Sequence, residues 1–281
     1  MKMQANAKIN LVLDVGERRP DGYHDVSMIM QEISLCDDIE ITLRSDGKIH
    51  LACSTPQLCD EKDNIAYKAA LLFFKATGKD YGCDITLTKR IPVCAGLGGG
   101  SSDAAAVIKG LNLLCNTTLT IEEMCTLGKA LGADVPFFIN GGTALAEGIG
   151  EILTPITGIR PKWLAVIKPD INISTPEAYR LLDANPGHHP DTALCAKCIS
   201  LGNMAELYRN AGNSFEYFTS EKHPEINEIK KHLTSYGAEF AMMSGSGPSV
   251  FGIFDDDKKA AFALRNYKGS FSGGGICKFI I

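Results

Sequence analysis

The chain has 281 residues, 45% hydrophobic and 22% charged, with a formal net charge of −5, which is ordinary for a globular protein. At this length one core nears its limit, so one large domain or two lobes are both expected. The acidic balance, with no long basic run, excludes a general nucleic-acid footprint, although local donors can still hold a single anionic ligand. The opening MKMQANAKINLVLDV lacks the apolar core and cleavage site of a secretory signal, and no stretch approaches the roughly 20 apolar residues of a membrane span. Ten cysteines follow no framework spacing and are read as reduced thiols of a cytoplasmic protein.

In chain order, KINLVLDV is apolar and β-branched and reads as a strand. GERRPDGYHDV is a turn-rich connection, and MIMQEISLC and DIEITLRS read as two further strands, with a hairpin-type Asp-Gly at 46–47. Asp63 and Asn64 can cap a helix through about Lys75, and YGCDITLTKRIP reads as a strand ending at Pro92. SSDAAAVIKGLNLLC reads as a helix, and Thr120 with Glu123 forms a capping box for a helix through about Leu131. GADVPFFINGG reads as a loop or short turn, TALAEGIGEILTPI as a hairpin, WLAVIKPD as a strand and TPEAYRLLD as a helix start. Beyond Trp163, helical NMAELYRN, PEINEIKKHLTSYG and KKAAFALRN alternate with strand-like AEFAMMS, PSVFGIF and CKFII. Strands and helices in both halves give an α+β or α/β class. The ITGIRPK turn suggests a boundary, dividing the chain into residues 1–157 and 158–281.

Between the strand ending at Pro92 and the next helix lies AGLGGGSSDAA, residues 95–105. A flexible linker would join polar segments, whereas this loop joins an apolar strand to an Ala-rich helix. No lysine occurs between Arg90 and Lys109, which removes the Walker-type loop. Gly96 and Gly98 fit a dinucleotide fingerprint, but its third glycine is replaced by Ser101. What is left is either a tight strand-to-helix turn or a phosphate cradle of main-chain N–H groups, helped by the helix N-terminus and by Ser101 and Ser102. Asp103 is expected in the first helical turn, where a carboxylate is favoured, and can reach Mg²⁺ through water.

Three other segments fit one site. In GADVPFF, Asp134 is flanked by apolar residues and reads either as a partly buried acid or as a helix cap. GSGPSVFG at 245–252 offers Gly245, Ser246 and Gly247 as a second glycine-rich turn. In AKINL, period two puts Lys8 and Asn10 on one strand face and Ile9 and Leu11 on the other. A half-buried lysine needs a carboxylate partner, and Asp134 is available; a surface position is the commoner outcome for a lysine.

AKINL, PVCAGLGGGSSDAA and GSGPSVFG, in that order, resemble the three motifs of the GHMP kinases (galactokinase, homoserine, mevalonate and phosphomevalonate kinases). The DGYH and GADVPFF segments resemble the branch acting on a cytidine diphosphate-linked methylerythritol, in the non-mevalonate route to isoprenoid precursors. The resemblance implies two α+β lobes with a deep cleft between them. It implies ATP with Mg²⁺ as the phosphoryl donor and a cytidylated small molecule as the acceptor, with neither nucleic acid nor membrane as a partner. It assigns the triphosphate to Pro92, Val93, Cys94, Ala95, Gly96, Leu97, Gly98, Gly99, Gly100, Ser101 and Ser102, with Ser102 as the candidate metal ligand. Lys8 and Asp134 become the catalytic pair, with Asp134 as a base or an orienting anion, and Asn10 lies beside them at the acceptor. Tyr23 would stack on cytosine, His24 would hydrogen-bond it, and Tyr179 would cover its other face. One departure is Cys94, where such families usually carry Gly or Ala. The thiol adds bulk and offers a site for alkylation.

Other members of the superfamily, homoserine or mevalonate kinases and a diphosphomevalonate-type decarboxylase, would share the loop. A non-catalytic binding protein on the same fold is the reading from another class, and intact Lys8 and Asp134 weigh against it. HHPDTALCAKC groups His188, His189, Cys195 and Cys198, which are zinc-ligand types. Adjacent histidines rarely share one ion, however, and the segment has a helical amphipathic pattern, so no metal site is expected there.

Overall fold

The computed structural model describes residues 1–55, 60–184, 187 and 189–281. The chain folds as two compact units, one of residues 1–7, 36–91 and 98–141 and the other of residues 8–35, 92–97 and 142–281. These units are discontinuous in sequence. Strands β1 (Lys2–Arg18) and β2 (His24–Arg44) contribute residues to both.

In the first unit, residues 38–44 of β2 pair antiparallel with β4 (Gly82–Thr88), and β3 (Ile49–Cys53) pairs parallel with the other edge of β4. The Asp-Gly turn at 46–47 therefore does not close a hairpin: β4 lies between β2 and β3. Helix α1 (Ile65–Thr77) is capped by the Asn64 side chain, which accepts from the Ala66 N–H. It packs on α2 (Gly99–Leu114). Helix α3 (Ile121–Lys129) carries the expected Thr120–Glu123 capping box, and α4 (Val135–Asn140) follows it. The sequence reading gives a loop or short turn there. Pro136 is compatible with a helix's first turn, and burial of Val135, Phe137, Phe138 and Ile139 holds the segment in place.

In the second unit, residues 28–31 of β2 pair with β5 (Thr143–Glu147), which forms the expected hairpin with β6 (Ile152–Pro155). A four-stranded antiparallel sheet has the order β10-β7-β9-β8, built from β7 (Trp163–Pro169), β8 (Phe240–Met243), β9 (Val250–Phe254) and β10 (Phe271–Lys278). Helices α9 (Glu225–Ser235) and α10 (Asp257–Asn266) pack on this sheet. The remaining helices are α5 (Thr175–Ala184), α6 (Thr192–Ser200), α7 (Met204–Asn210) and α8 (Glu216–Lys222).

Strand β2 replaces the two strands expected from MIMQEISLC and DIEITLRS. Residues 28–33 are buried on both faces, whereas residues 39–42 alternate between core and outside. The Cys-Asp-Asp sequence between them looks like a break. Asp37 is nevertheless fully buried, with its carboxylate bound by Lys89 and by the N–H groups of Arg90 and Ile91. A satisfied buried carboxylate lets the strand continue.

Candidate active site

Within the second unit, the AKINL segment and the 244–249 loop meet the first half of the central glycine loop. The Lys8 N–H donates to the Leu97 carbonyl at 3.0 Å, and Lys8 Nζ donates to Asn10 Oδ1 at 2.7 Å, so the two side chains do share a face. Both are buried, as are Ile9 and Leu11. Ser244 joins the pieces: its hydroxyl donates to the Gly96 carbonyl at 3.0 Å and accepts from the Asn10 N–H at 3.4 Å. The Ser249 N–H reaches the Ala95 carbonyl at 3.4 Å. Asn213 donates through Nδ2 to the carbonyls of Met243 and Gly245, both at 2.9 Å, and so fixes the third motif from beneath.

Two positions in this contact require glycine. Gly96 has φ 72°, and a Cβ there would lie 2.1 Å from the Ser244 carbonyl oxygen. Gly245 has φ 58°, and its Cβ would lie 3.0 Å from the Gly96 carbonyl oxygen. Main chain meets main chain with no room for a side chain. Ser246 is held at the edge by a 3.0 Å contact with Thr175 Oγ1, and Gly247 is tight against Met243. Pro92, at the start of the loop, packs against Gly273 of β10. Val93 and Cys94 are exposed, and Cys94 has φ 51°, a conformation that Gly adopts freely and other residues adopt rarely.

Within the first unit, Gly98 is the N-cap of α2 with φ 72°, and the helix begins at Gly99. Its first N–H groups, including those of Gly99, Gly100 and Ser101, have no partners in the preceding helical turn, which makes this end suited to an anion. Ser102 and Asp103 are buried. Asp103 is the fifth residue of α2, not a first-turn residue as expected. Its Oδ2 accepts from Lys89 Nζ at 2.7 Å, while its Oδ1 is buried without a hydrogen bond. Lys89 also binds Asp37. Burial, reinforced by Asp37, pushes the Asp103 carboxyl up to about 7 against the pull of Lys89. Burial works against the charge on Lys89, but Asp103 and Asp37 outweigh it and raise its pKa.

Asp134 stands in the N-cap position of α4 at φ −79° and ψ −14°, and its side chain accepts no capping hydrogen bond. Capping therefore does not account for it. Nearby Gly128 gives space to Val135 and Ile139, which sets the start of α4 against α3.

The aromatic candidates lie in the second unit. The turn between β1 and β2 is closed by the Arg19 N–H to the Tyr23 carbonyl at 2.6 Å, and the Tyr23 side chain is left 61% exposed. His24 is buried, with Nδ1 3.0 Å from the Gly16 carbonyl and Nε2 3.2 Å from Asp183 Oδ1. Its ring stacks on Tyr179 with centroids 4.9 Å apart, and Tyr179 meets Phe215 edge-on at 4.9 Å. The structure thus brings His24 and Tyr179 together directly.

Sequence reasoning missed Lys89, Asp37, Asp183 and Asn213. Lys89 follows the end of β4, and Asp37 lies inside β2 where the sequence suggests a break; in one sequence neither can be told from a surface position. Cys195 and Cys198 are buried free thiols of α6. His189 binds Asp14 at 2.7 Å, and His188 lies outside the described residues. Among the described residues no group of three or more His, Cys, Asp or Glu could hold a metal ion. A divalent ion accompanying a triphosphate needs oxygen donors, many of them from the phosphates themselves. The Ser102 hydroxyl and the unpaired Asp103 Oδ1 are oxygen donors of that kind near the start of α2.

Comparison with known proteins places these features in a family. The model of the GHMP kinases N terminal domain matches residues 64–142, and that of the GHMP kinases C terminal matches residues 193–273. A 4-diphosphocytidyl-2-C-methyl-D-erythritol kinase of Geobacter metallireducens is 45% identical over 96% of this chain and 95% of its own. That of Acetivibrio thermocellus is 47% identical over 96% and 95%. A crystal structure of 4-(cytidine 5'-diphospho)-2C-methyl-D-erythritol kinase superposes with a TM-score of 0.82 at 35% identity, covering 99% of both chains. A mevalonate kinase from L. major, at 17% identity and a TM-score of 0.76 over 99% of this chain and 95% of its own, shares the fold. With its glycine-rich motifs joined as described and near-full-length identity above 40%, the chain belongs to the 4-diphosphocytidyl-2-C-methyl-D-erythritol kinase family of the GHMP kinases.

Proposed function

We propose that the protein transfers the γ-phosphoryl group of ATP to the 2-hydroxyl of 4-diphosphocytidyl-2-C-methyl-D-erythritol, a step of the non-mevalonate route to isoprenoid precursors. The observation that carries this reading is the close packing of Gly96 on the 244–249 loop beside Lys8 and Asn10. Main-chain groups held this tightly suit a phosphate chain, because phosphoryl transfer depends on positioning and charge stabilisation. The names of the relatives supply the acceptor.

In the proposed reaction the acceptor oxygen forms a bond to the γ-phosphorus as the bond to the β–γ bridging oxygen breaks, and ADP leaves with that electron pair. Asp134 accepts or orients the hydroxyl proton. Lys8 stabilises negative charge on the incoming oxygen, and Asn10 positions the acceptor. Residues 92–102 hold the triphosphate, and Gly245, Ser246 and Gly247 brace the loop. When bound with ATP, Mg²⁺ supplies neutralisation of the β and γ phosphates, and Ser102 is the residue proposed to hold it. Tyr23 stacks on the cytosine, Tyr179 covers the other side, and His24 exchanges its contact with Asp183 for the base edge. A boundary between residues 157 and 158 belongs to the same reading; the two family models fall on either side of it. So does a cytoplasmic location, in keeping with cysteines that follow no disulfide framework.

The test is ADP release with ATP and, separately, the cytidylated methylerythritol, mevalonate and homoserine. Turnover with the first alone is expected; turnover with either of the others instead would give the protein to another branch. Asp134→Ala is expected to lower kcat on the order of a hundredfold or more, and a folded variant with normal kcat would remove Asp134 from the mechanism.

A further inference from the structure

Asp37 and Lys89 have no part in the reaction just described, yet they form a buried cluster with Asp103. Its side chains are 0%, 8% and 3% exposed. Asp37 Oδ1 accepts from the N–H groups of Arg90 and Ile91, the latter at 2.8 Å, immediately before the phosphate loop. Asp103 lies in α2, immediately after it. Lys89 Nζ joins the two carboxylates, and with Ile91 it occupies the space where a side chain on Gly99 would go, 3.3 Å and 3.1 Å from that Cβ position. One ammonium therefore ties the strand leading into the loop to the helix leading out of it. Two carboxylates and two arms of a loop depend on it, at a depth where removing one ionic partner is costly.

We propose that Lys89, held between Asp37 and Asp103, is a positioning residue that pins both ends of the 92–102 loop and so sets its affinity for ATP. This rests on the reading that the loop holds the triphosphate. The same unit contains a second cation between two carboxylates, Arg44 with Asp46 and Asp84, but that cluster is on the surface. Solvent screens such a cluster, and it lies outside the loop, which makes it a matched control.

Lys89→Met alone leaves two carboxylates facing each other in the interior and endangers folding. The test therefore uses Lys89→Met/Asp103→Asn, which removes one charge of each sign, and Asp103→Asn, which keeps Lys89 on Asp37 and weakens its tie to α2; amide exchange is read without Mg²⁺ or nucleotide as well, where loss of a metal donor alone would change nothing. Arg44→Met is the control. Binding of the non-hydrolysable ATP analogue AMP-PNP with Mg²⁺ is measured by calorimetry, amide exchange is followed over 92–102, and KM is compared with kcat. The double variant is expected to bind about tenfold more weakly, to exchange faster at 98–102, to raise KM for ATP in parallel and to keep KM for the acceptor. Asp103→Asn should show a smaller change of the same kind, and Arg44→Met none. Either cluster variant, folded but with wild-type affinity and exchange, overturns the proposal. In the wild type, AMP-PNP must slow exchange across 92–102. If it does not, the reading of the loop fails first and this inference falls with it.

Discussion

The glycine contact around Gly96 and the aromatic group around His24 lie in the same unit and are built differently. At Gly96 and Gly245, backbone packs on backbone, and an added methyl group would lie 2.1 Å or 3.0 Å from a carbonyl oxygen. Around His24, the contacts are rings 4.9 Å apart, one hydrogen bond to a carbonyl and a carboxylate, that of Asp183, which is 39% exposed. The first arrangement has no slack and suits a ligand whose geometry must be exact to a fraction of an ångström. The second has rotatable side chains and suits recognition by stacking. Substitutions in the first region should act steeply and on both substrates, and those in the second in a graded way and on one.

The sharpest break of that contrast is Gly96→Ala. It should lower kcat/KM on the order of a hundredfold, since φ 72° and the Ser244 carbonyl both oppose a side chain. Gly275→Ala, where a Cβ meets nothing within 4 Å, should leave kinetics and melting temperature unchanged; equal losses at both sites would remove the distinction. Asn213→Ala should come next. It leaves the carbonyls of Met243 and Gly245 short of a donor, at a cost of about 1–3 kcal/mol in stability, measurable by denaturant unfolding. Tyr23→Ala should raise KM for the cytidylyl substrate about tenfold, within the range for base stacking, and spare KM for ATP; equal damage to both would point to a wider structural fault. The smallest effect concerns Cys94. Among the described cysteines it is the exposed one, whereas burial pushes the thiols of Cys83, Cys195 and Cys277 up to about 12. Iodoacetamide at mild pH should label Cys94 first by peptide mapping, and ATP should slow the labelling severalfold.

Much of this was legible in the sequence where local chemistry decides. The Asn64 cap, the Thr120–Glu123 box, the 143–155 hairpin and the alternation of Lys8 with Ile9 follow from rules acting over a few residues. The strand-to-helix setting of the glycine loop was legible too, because an apolar strand precedes it and an Ala-rich helix follows. What escaped depends on distant partners. Asp37 resembles a strand break until Lys89 and two N–H groups arrive from about fifty residues away. The turn at 46–47 resembles a hairpin until β4 inserts beside β2. GADVPFF resembles a loop until burial of its phenylalanines makes a short helix worthwhile. His24 stacks on Tyr179 and faces Asp183, a pairing across about 155 residues of chain that no local pattern encodes.

The central claim is tested most directly by locating the transferred phosphate. The wild-type protein is incubated with ATP and the cytidylated methylerythritol, and the product is read by ³¹P and ¹³C NMR. A new phosphomonoester signal coupled to C2 of the methylerythritol, formed in step with ADP, is the expected result. ADP formed without that ester, or phosphate found on another hydroxyl, would contradict the account.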